Sequence, residues 1–314
     1  MATLWFFVSR QSTFDVVHLH GFSRKSVLLV LLARLFGKKV VITIHTAEQD
    51  EPEGIRRLGA FAYRQYASAD QFIAISPRLA ENYRRAGLPE ERLAIAPNAV
   101  DTDRFSPADE AERKRLRVDL GGASDDRPWI LFVGFFSADK APDVLADAWL
   151  QLHARGIRTS LVLVGAQRSA YYEVDASIAE RIRNKAATAG AADLVHLVGE
   201  VRDVEKYHRA ADIFVMPSVR EAFGMALIEA MACGKPVIAT RISGVTDVIV
   251  EDGKTGVLVA SRDADALATA IRSLLDDPAA AAAMGACARD AVMRRFALDA
   301  AAERWSAIYQ KVIP

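Results

Sequence analysis

Cysteine is scarce in this sequence of 314 residues, and neither sign of charge prevails. The two cysteines, Cys233 and Cys287, have no metal or redox spacing, so we expect no disulfide framework and a reducing, cytoplasmic setting. Lys and Arg together number 40, as do Asp and Glu, which leaves no overall charge to attract nucleic acid or acidic membranes. We therefore expect no nucleic-acid partner.

Long apolar runs and clustered histidines are also missing. The apolar stretch 26–33 is too short to cross a bilayer and is followed by Arg34. Residues 1–8 have neither the basic start nor the apolar length of a secretory signal. We expect membrane association to be peripheral at most, at the inner face. Because the six histidines are scattered, we expect no metal site and no cofactor.

The chain does contain a regular alternation of strand and helix patterns. Short apolar runs predict strands buried on both faces of a sheet. Alternating strands and helices predict α/β domains with doubly wound parallel sheets. Strands are predicted at 16–20, 39–45, 71–76, 93–96, 129–133, 160–164, 194–198, 213–216, 236–239 and 256–259. Helices are predicted at 25–36, 54–67, 78–86, 108–118, 143–155, 173–189, 203–210, 226–233 and 264–275, and through 278–313 with a break near Phe296.

A polar stretch punctuated by Pro107 and the pair Gly121-Gly122 divides this series in two. Such composition is typical of a boundary between domains. We predict an N-terminal domain over 1–106, a linker over 107–127, a C-terminal domain over 128–297 and a last helical segment over 298–314.

The stretch 217–234 gives the clearest chemical signal. It follows a buried strand, holds Glu221 in a short polar loop, and continues from Gly224 into a run of helix formers. A strand, a glycine-bearing turn and a helix start bring free backbone N–H groups and the positive end of the helix dipole to one point, which suits a phosphate or diphosphate. We therefore predict an anion site at the amides of Phe223, Gly224 and Met225.

Two carboxylates bracket this predicted anion site. Glu221 precedes the helix, and Glu229 lies near its second turn, where the tilt of Cβ directs the side chain toward the helix N-terminus. Carboxylates are strong acceptors for paired sugar hydroxyls, so one glutamate on each side of a diphosphate suits the two sugar rings of a nucleotide-sugar. The plainer alternative is that Glu229 only complements the helix dipole and that Glu221 is solvated.

The same segment resembles a known family signature. Glu221-Ala-Phe-Gly-Met-Ala-Leu-Ile-Glu229, followed by Ala-Met-Ala-Cys-Gly-Lys-Pro-Val-Ile-Ala-Thr, is similar to the E-x7-E motif of retaining glycosyltransferases of family 4. The resemblance implies a GT-B fold, in which two Rossmann-like domains face a cleft, and a nucleotide-sugar donor. It implies that Glu221 holds sugar hydroxyls and Glu229 the ribose diol. It also implies that the last helix crosses back onto the N-terminal domain.

Two further segments resemble the family. In Ile42-Thr-Ile-His45 the histidine corresponds to one that faces the transferred sugar from the N-terminal domain, although a His that ends an apolar strand is commonly a structural hydrogen bonder. In Phe132-Val-Gly-Phe-Phe-Ser-Ala-Asp-Lys140, the glycine Gly134 lets a donor approach the backbone, and Lys140 corresponds to a lysine on the donor diphosphate. A cation there offsets charge that develops on the leaving group.

This second segment departs from the family at two positions. Phe135 stands where the family usually has an arginine after the glycine, and Ala141 replaces the common glycine after the lysine. Arg202 and Arg220 are candidate substitutes for the missing cation. The simpler alternative for each is an exposed arginine with no role in the site.

The resemblance is incomplete at the start of the chain. In the family, the N-terminal domain opens with further βα units and a glycine-rich loop that faces the acceptor, whereas no glycine precedes Gly21 here. We therefore expect an N-terminal domain that lacks its first part.

These observations predict a cytoplasmic retaining glycosyltransferase. It would move a hexose-type sugar from an NDP-sugar to a hydroxyl of an unidentified glycan, lipid or small-molecule acceptor, with His45, Lys140 and Glu221 as catalytic residues. Two alternatives stay open. One is another GT-B enzyme, such as a nucleotide-sugar epimerase, which the E-x7-E register disfavours. The other is a non-catalytic nucleotide-sugar-binding or scaffold subunit, which Phe135 and the short start favour.

Overall fold

A computed structural model describes residues 2–46, 48–122, 127–167 and 174–313. The chain forms two compact units: unit 1 comprises Met1–Asn98 and Asp299–Pro314, and unit 2 comprises Ala99–Leu298. The strands are β1 (Val16–His20), β2 (Lys39–Ile44), β3 (Gln71–Ala74), β4 (Leu93–Ile95), β5 (Trp129–Val133), β6 (Ser160–Val164), β7 (Val195–Val198), β8 (Ile213–Met216), β9 (Val237–Thr240) and β10 (Val257–Val259). The helices are α1 (Ala2–Arg10), α2 (Arg24–Leu35), α3 (Pro52–Arg56), α4 (Ala60–Ala67), α5 (Pro77–Arg85), α6 (Glu110–Asp119), α7 (Pro142–Ala154), α8 (Ala176–Thr188), α9 (Val204–Ala210), α10 (Met225–Ala232), α11 (Ala264–Asp276), α12 (Pro278–Arg295) and α13 (Leu298–Val312).

Unit 1 is built on a parallel sheet whose strands follow the chain in the order β1-β2-β3-β4. The last helix completes its core: Val41 of β2 and Ile73 of β3 pack with Ile308 and Val312 of α13. Strands that are covered on both faces are largely apolar and buried, and β2 is buried from residue 40 to residue 44 with Thr43 as its one polar residue there.

Unit 2 is built on a six-stranded parallel sheet in the order β10-β9-β8-β5-β6-β7. From β5 the chain proceeds outward to β6 and β7, then returns to place β8 against the other side of β5 and continues outward to β9 and β10. In open α/β sheets, ligands bind beyond the carboxyl ends of the strands where the order reverses. In unit 2 that switch point lies between β5 and β8.

Residues 107–122 and 127, from the stretch that the sequence predicts as a linker, belong to unit 2; residues 123–126 lie outside the described residues. Arg117 of α6 is 5% exposed, pairs with Asp212, and donates to the carbonyl oxygen of Ala210 at 2.9 Å. Arg113 reaches the other oxygen of Asp212 at 2.7 Å. Two guanidinium groups on one carboxylate bind α6 to the body of unit 2, which explains why so polar a stretch folds there.

The structure confirms the predicted alternation of strands and helices, with shifts of a few residues at the ends, and differs at two places. The predicted helix 54–67 is two helices, α3 and α4, because Gly59 between them has φ of 111°. The helix α1 was not predicted, since Trp5, Phe6 and Val8 are exposed and form no buried stripe. Within the described ranges, every helix is too short or too polar to traverse a lipid bilayer.

Candidate functional site

The switch point of unit 2 brings together three of the predicted features. Gly134 follows β5 directly, Glu221 lies in the loop after β8, and that loop leads into α10. Parallel neighbours end at the same edge of a sheet. The two segments singled out in the sequence, 132–140 and 217–234, therefore meet at one place, although 76 residues lie between them in the chain.

The N-terminus of α10 has the geometry of an anion site. Gly224 caps the helix with φ of 106° and ψ of 60°, a left-handed conformation that suits glycine. The first N–H groups of a helix have no partner inside it, and Met225 is 37% exposed. Phe223 is 5% exposed and packs edge-on against Phe296, with 5.8 Å between ring centroids. Its side chain belongs to the core, so only its backbone faces the turn.

Lys140 and Glu221 form an ion pair across the switch point. Their side chains are 26% and 12% exposed, so this pair is less accessible to solvent than an ordinary surface ion pair. The hydroxyl of Ser218, itself fully buried, donates to the same Glu221 oxygen at 3.4 Å. The sequence placed both charged residues in the site and did not predict that they contact each other.

Asp139 ties the loop after β5 to the loop after β8. Its carbonyl oxygen accepts from the Val219 N–H at 2.7 Å, and its carboxylate binds Arg220 through Nε at 3.0 Å and a terminal nitrogen at 2.8 Å. Arg220, a candidate substitute for the missing family arginine, is thus engaged by a carboxylate. The side chain of Arg202 is exposed, and its carbonyl oxygen accepts from Arg104 at 2.8 Å.

Two small residues shape the backbone beside Lys140. Ala141, the N-cap of α7, is 1% exposed and has φ of 48°, a left-handed conformation that is unfavourable for any residue with a Cβ. Gly165 follows β6, and a Cβ on it would lie 1.9 Å from the carbonyl oxygen of Gly134. The approach of these two backbones explains why a glycine stands at residue 165, a constraint that the sequence alone did not reveal.

Glu229 points toward a buried histidine that sequence reasoning missed. His208, in the last turn of α9, is 0% exposed, and its Nε2 lies 3.4 Å from Oε2 of Glu229 without the alignment of a hydrogen bond. The Glu229 side chain is 18% exposed, and no hydrogen bond to it is seen within the described residues. The only sequence signal for His208 is a histidine near the end of a helix, so its contact could not be foreseen.

Three histidines lie side by side in unit 1. Nδ1 of His20 and Nε2 of His45 are 2.9 Å apart and the two rings are stacked. His18 lies between Thr43, at 2.7 Å from its Nε2, and Tyr309 of α13, at 2.6 Å from its Nδ1. Burial, with repulsion from the other two histidines, lowers the pKa of His18 to about 4. The pKa of His45 is also lowered, by burial and then by His20.

A buried carboxylate holds the loops that carry His20 and His45. Asp50 is 8% exposed and accepts hydrogen bonds from the N–H groups of Phe22, His45 and Thr46 at 3.2, 3.3 and 3.1 Å. The hydroxyl of Thr46 donates to it at 2.7 Å. Four donors on one carboxylate join the loop after β1 to the loop after β2. Sequence reasoning missed Asp50, which lies in an ordinary polar loop.

The predicted site residues are thus divided between the units. Gly134, Lys140, Glu221 and the start of α10 converge in unit 2, whereas His45 belongs to unit 1. In the described part of the chain, no group of three or more His, Cys, Asp or Glu side chains has the arrangement of a metal site.

Two family models match the chain. The family of glycosyl transferases group 1 matches residues 118–291, and that of glycosyltransferase family 4 matches residues 2–104. The first lies in unit 2 and includes every predicted donor-binding residue, while the second covers the described strands of unit 1.

Curated relatives are similar over nearly all of this chain. D-inositol 3-phosphate glycosyltransferase 2 of Catenulispora acidiphila is 33% identical over 312 residues, which cover 96% of this chain and 71% of that protein. D-inositol 3-phosphate glycosyltransferase of Streptomyces avermitilis is 35% identical over 318 residues, which cover 96% of this chain and 66% of that protein. The chain therefore spans about two thirds of the length of these relatives.

Solved structures share the architecture. The structure of HepE from Anabaena in complex with UDP and glucose aligns with a TM-score of 0.83 at 20% identity, covering 98% of this chain and 81% of that one. Sucrose-phosphate synthase from Thermosynechococcus elongatus aligns with a TM-score of 0.76 at 26% identity, covering 98% and 77%. Both alignments include the two parallel sheets.

Proposed function

The chain belongs to the glycosyl transferases group 1 family and has the GT-B fold, and on that premise we propose that it moves a hexose-type sugar from a nucleoside-diphosphate sugar to an acceptor hydroxyl with retention. The observation that carries the proposal is the convergence of Gly134, the Lys140–Glu221 ion pair and the glycine-opened N-terminus of α10 at the switch point of unit 2.

Unit 2 supplies a cradle for the donor diphosphate. The N–H groups at Gly224 and Met225 and the positive end of α10 would face the phosphate oxygens. Lys140 would leave Glu221 for the diphosphate, because a doubly charged anion attracts the ammonium group more strongly than one carboxylate does. The cation then stabilises the negative charge that accumulates on the leaving diphosphate as the bond to the sugar breaks.

The same exchange frees a carboxylate for the sugar. Once Lys140 turns to the diphosphate, Glu221 can accept hydrogen bonds from the hydroxyls of the transferred hexose. Glu229, which lacks hydrogen-bond donors within the described residues, would accept from the ribose diol. Arg202 and the backbone at Gly134 would complete the contacts with the nucleotide. His45, whose pKa is lowered, would contribute a neutral imidazole to the reaction.

A donor panel tests the activity directly. UDP-, GDP- and ADP-linked hexoses would be assayed for release of the nucleoside diphosphate, with and without acceptors that include D-inositol 3-phosphate, the compound in the names of the relatives. We expect one donor to give acceptor-dependent release. We expect Glu221→Gln and Glu229→Gln to lower it, and Glu180→Gln, an exposed glutamate of α8, to leave it unchanged. Release that is insensitive to both site variants would contradict the proposal.

A non-catalytic nucleotide-sugar-binding subunit is the second candidate function. It is favoured by the absence of an arginine at residue 135 and by the engagement of Arg220 with Asp139, which leave Lys140 as the cation in the expected position. Thermal unfolding separates the two functions. A donor that raises the melting temperature while no diphosphate is released with any acceptor would support the binding subunit.

A further inference from the structure

His208 is an unusual buried residue. Its ring is fully enclosed, lying edge-on to Phe105 at 5.8 Å and tilted against Phe214 at 5.3 Å between centroids. Buried polar groups are normally hydrogen-bonded, yet neither ring nitrogen has a hydrogen-bond partner among the described residues. The nearest carboxylate is that of Glu229, 3.4 Å from Nε2. An enclosed histidine whose two nitrogens both lack a partner among the described residues calls for an explanation beyond core packing.

The position of this contact connects it with the nucleotide. Glu229 lies in the first two turns of α10, on the helix whose N-terminus is the proposed diphosphate cradle. The terminal torsion of a glutamate is broad, so a carboxylate without fixed partners points in many directions. A rigid N–H donor held between two aromatic rings restricts that freedom when it binds one of the two oxygens. The other oxygen is then left to accept from a ligand.

We propose that His208 is a positioning residue that directs the Glu229 carboxylate toward the ribose hydroxyls of a nucleoside diphosphate. The inference rests on the proposed function, since it assumes that Glu229 faces the ribose. His208 acts through Glu229 and does not touch the ligand. Binding closes the 3.4 Å separation into a hydrogen bond, so the enclosed imidazole gains a partner only in the occupied state.

Calorimetry with ribose-modified ligands tests this role. UDP, GDP and ADP would be titrated into the wild-type protein, and the tightest of them would be compared with its 2′,3′-dideoxy form. We expect His208→Phe, which keeps a planar ring and removes the donor, to weaken binding of the natural diphosphate about tenfold and that of the dideoxy form less than about twofold. His208→Gln keeps an N–H donor and should restore most of the affinity.

Controls separate positioning from packing. His153→Phe, on α7 and stacked on Trp149, should change neither affinity. In a Glu229→Gln background, His208→Phe should not further change the ratio of the affinities for the natural diphosphate and its dideoxy form. Equal weakening of both ligands in His208→Phe, or no weakening of either, would overturn the inference while leaving the proposed function intact. A wild-type protein that binds none of the three diphosphates would overturn both.

Discussion

In unit 2 the strand order reverses between β5 and β8, whereas in unit 1 the strands follow the chain from β1 to β4 without a reversal. Both sheets carry polar residues at their carboxyl ends. In unit 2 those residues face each other across the reversal, as Lys140 and Glu221 do. In unit 1, His18 is hydrogen-bonded to Thr43 of β2 and to Tyr309 of α13, and the N–H of His45 donates to Asp50. We propose that a ligand can take over the partners of the charges at the reversal, whereas the histidines of unit 1 are already hydrogen-bonded within their own unit.

The largest expected effect tests the exchange at the reversal. Lys140→Met should lower turnover roughly 100- to 1,000-fold, because it removes the cation that we propose offsets charge on the leaving diphosphate. Turnover would be measured with the donor found in the panel. Lys185→Met, which removes an exposed lysine paired with Asp147 on the surface of the same unit, is the matched control and should change turnover little. Near-normal turnover in Lys140→Met would remove the switch point from the mechanism.

A pair of glycine substitutions compares the backbones of the two units. Gly165→Ala should destabilise unit 2 by about 3 kcal/mol, since its Cβ would meet the Gly134 carbonyl at 1.9 Å in addition to the cost of φ at 144°. Gly37→Ala in unit 1, with φ of 65° and nothing within 4 Å, should cost only about 1 kcal/mol. Urea unfolding of both variants gives the comparison, and equal costs would show that the crowding at residue 165 is relieved by movement.

The histidine cluster predicts that unit 1 weakens in acid. The pKa of His18 is lowered to about 4 in the folded unit, below the ordinary value of 6.5. Between pH 6.5 and 4, His18 is therefore protonated in the unfolded chain and largely neutral in the folded one. Because the unfolded chain binds more protons in this range, the free energy of unfolding falls as the pH falls. Allowing for the partial exposure of His18, we expect a loss of about 1 kcal/mol between pH 7 and 5. Hydrogen exchange of the β2 amides, measured across this pH range, would report the loss of stability of unit 1. The pH dependence should flatten in His18→Asn; an unchanged slope would exclude His18 as its source.

The smallest effect concerns the left-handed residue beside Lys140. Ala141→Gly should stabilise unit 2 by roughly 0.5–1 kcal/mol, because glycine adopts φ of 48° without the Cβ penalty. Ala282→Gly, at an exposed position inside α12, should instead destabilise by about 1 kcal/mol. The midpoints of urea unfolding distinguish these two signs, and destabilisation by both substitutions would show that Ala141 is not strained.

Much of the fold could be predicted from sequence because the buried strands of a parallel sheet are nearly continuous apolar runs, as Trp129–Val133 shows. The turn and helix of the 217–234 stretch could also be predicted, since Gly224 stands directly before a run of helix formers. The contacts between distant segments were not. Lys140 meets Glu221, and His208 meets Glu229, only through tertiary packing, and no local pattern encodes which side chains will share a loop edge or a helix interface.

Because α13 packs on β2 and β3, the core of unit 1 is assembled from both ends of the described chain. During synthesis, all of unit 2 emerges before Ile308 and Val312 exist to cover Val41 and Ile73. The sheet of unit 1 therefore lacks part of its apolar cover until after the whole of unit 2 has been made. Removal of α13 by proteolysis would expose the same apolar face of the first sheet, and exposed apolar surface favours aggregation.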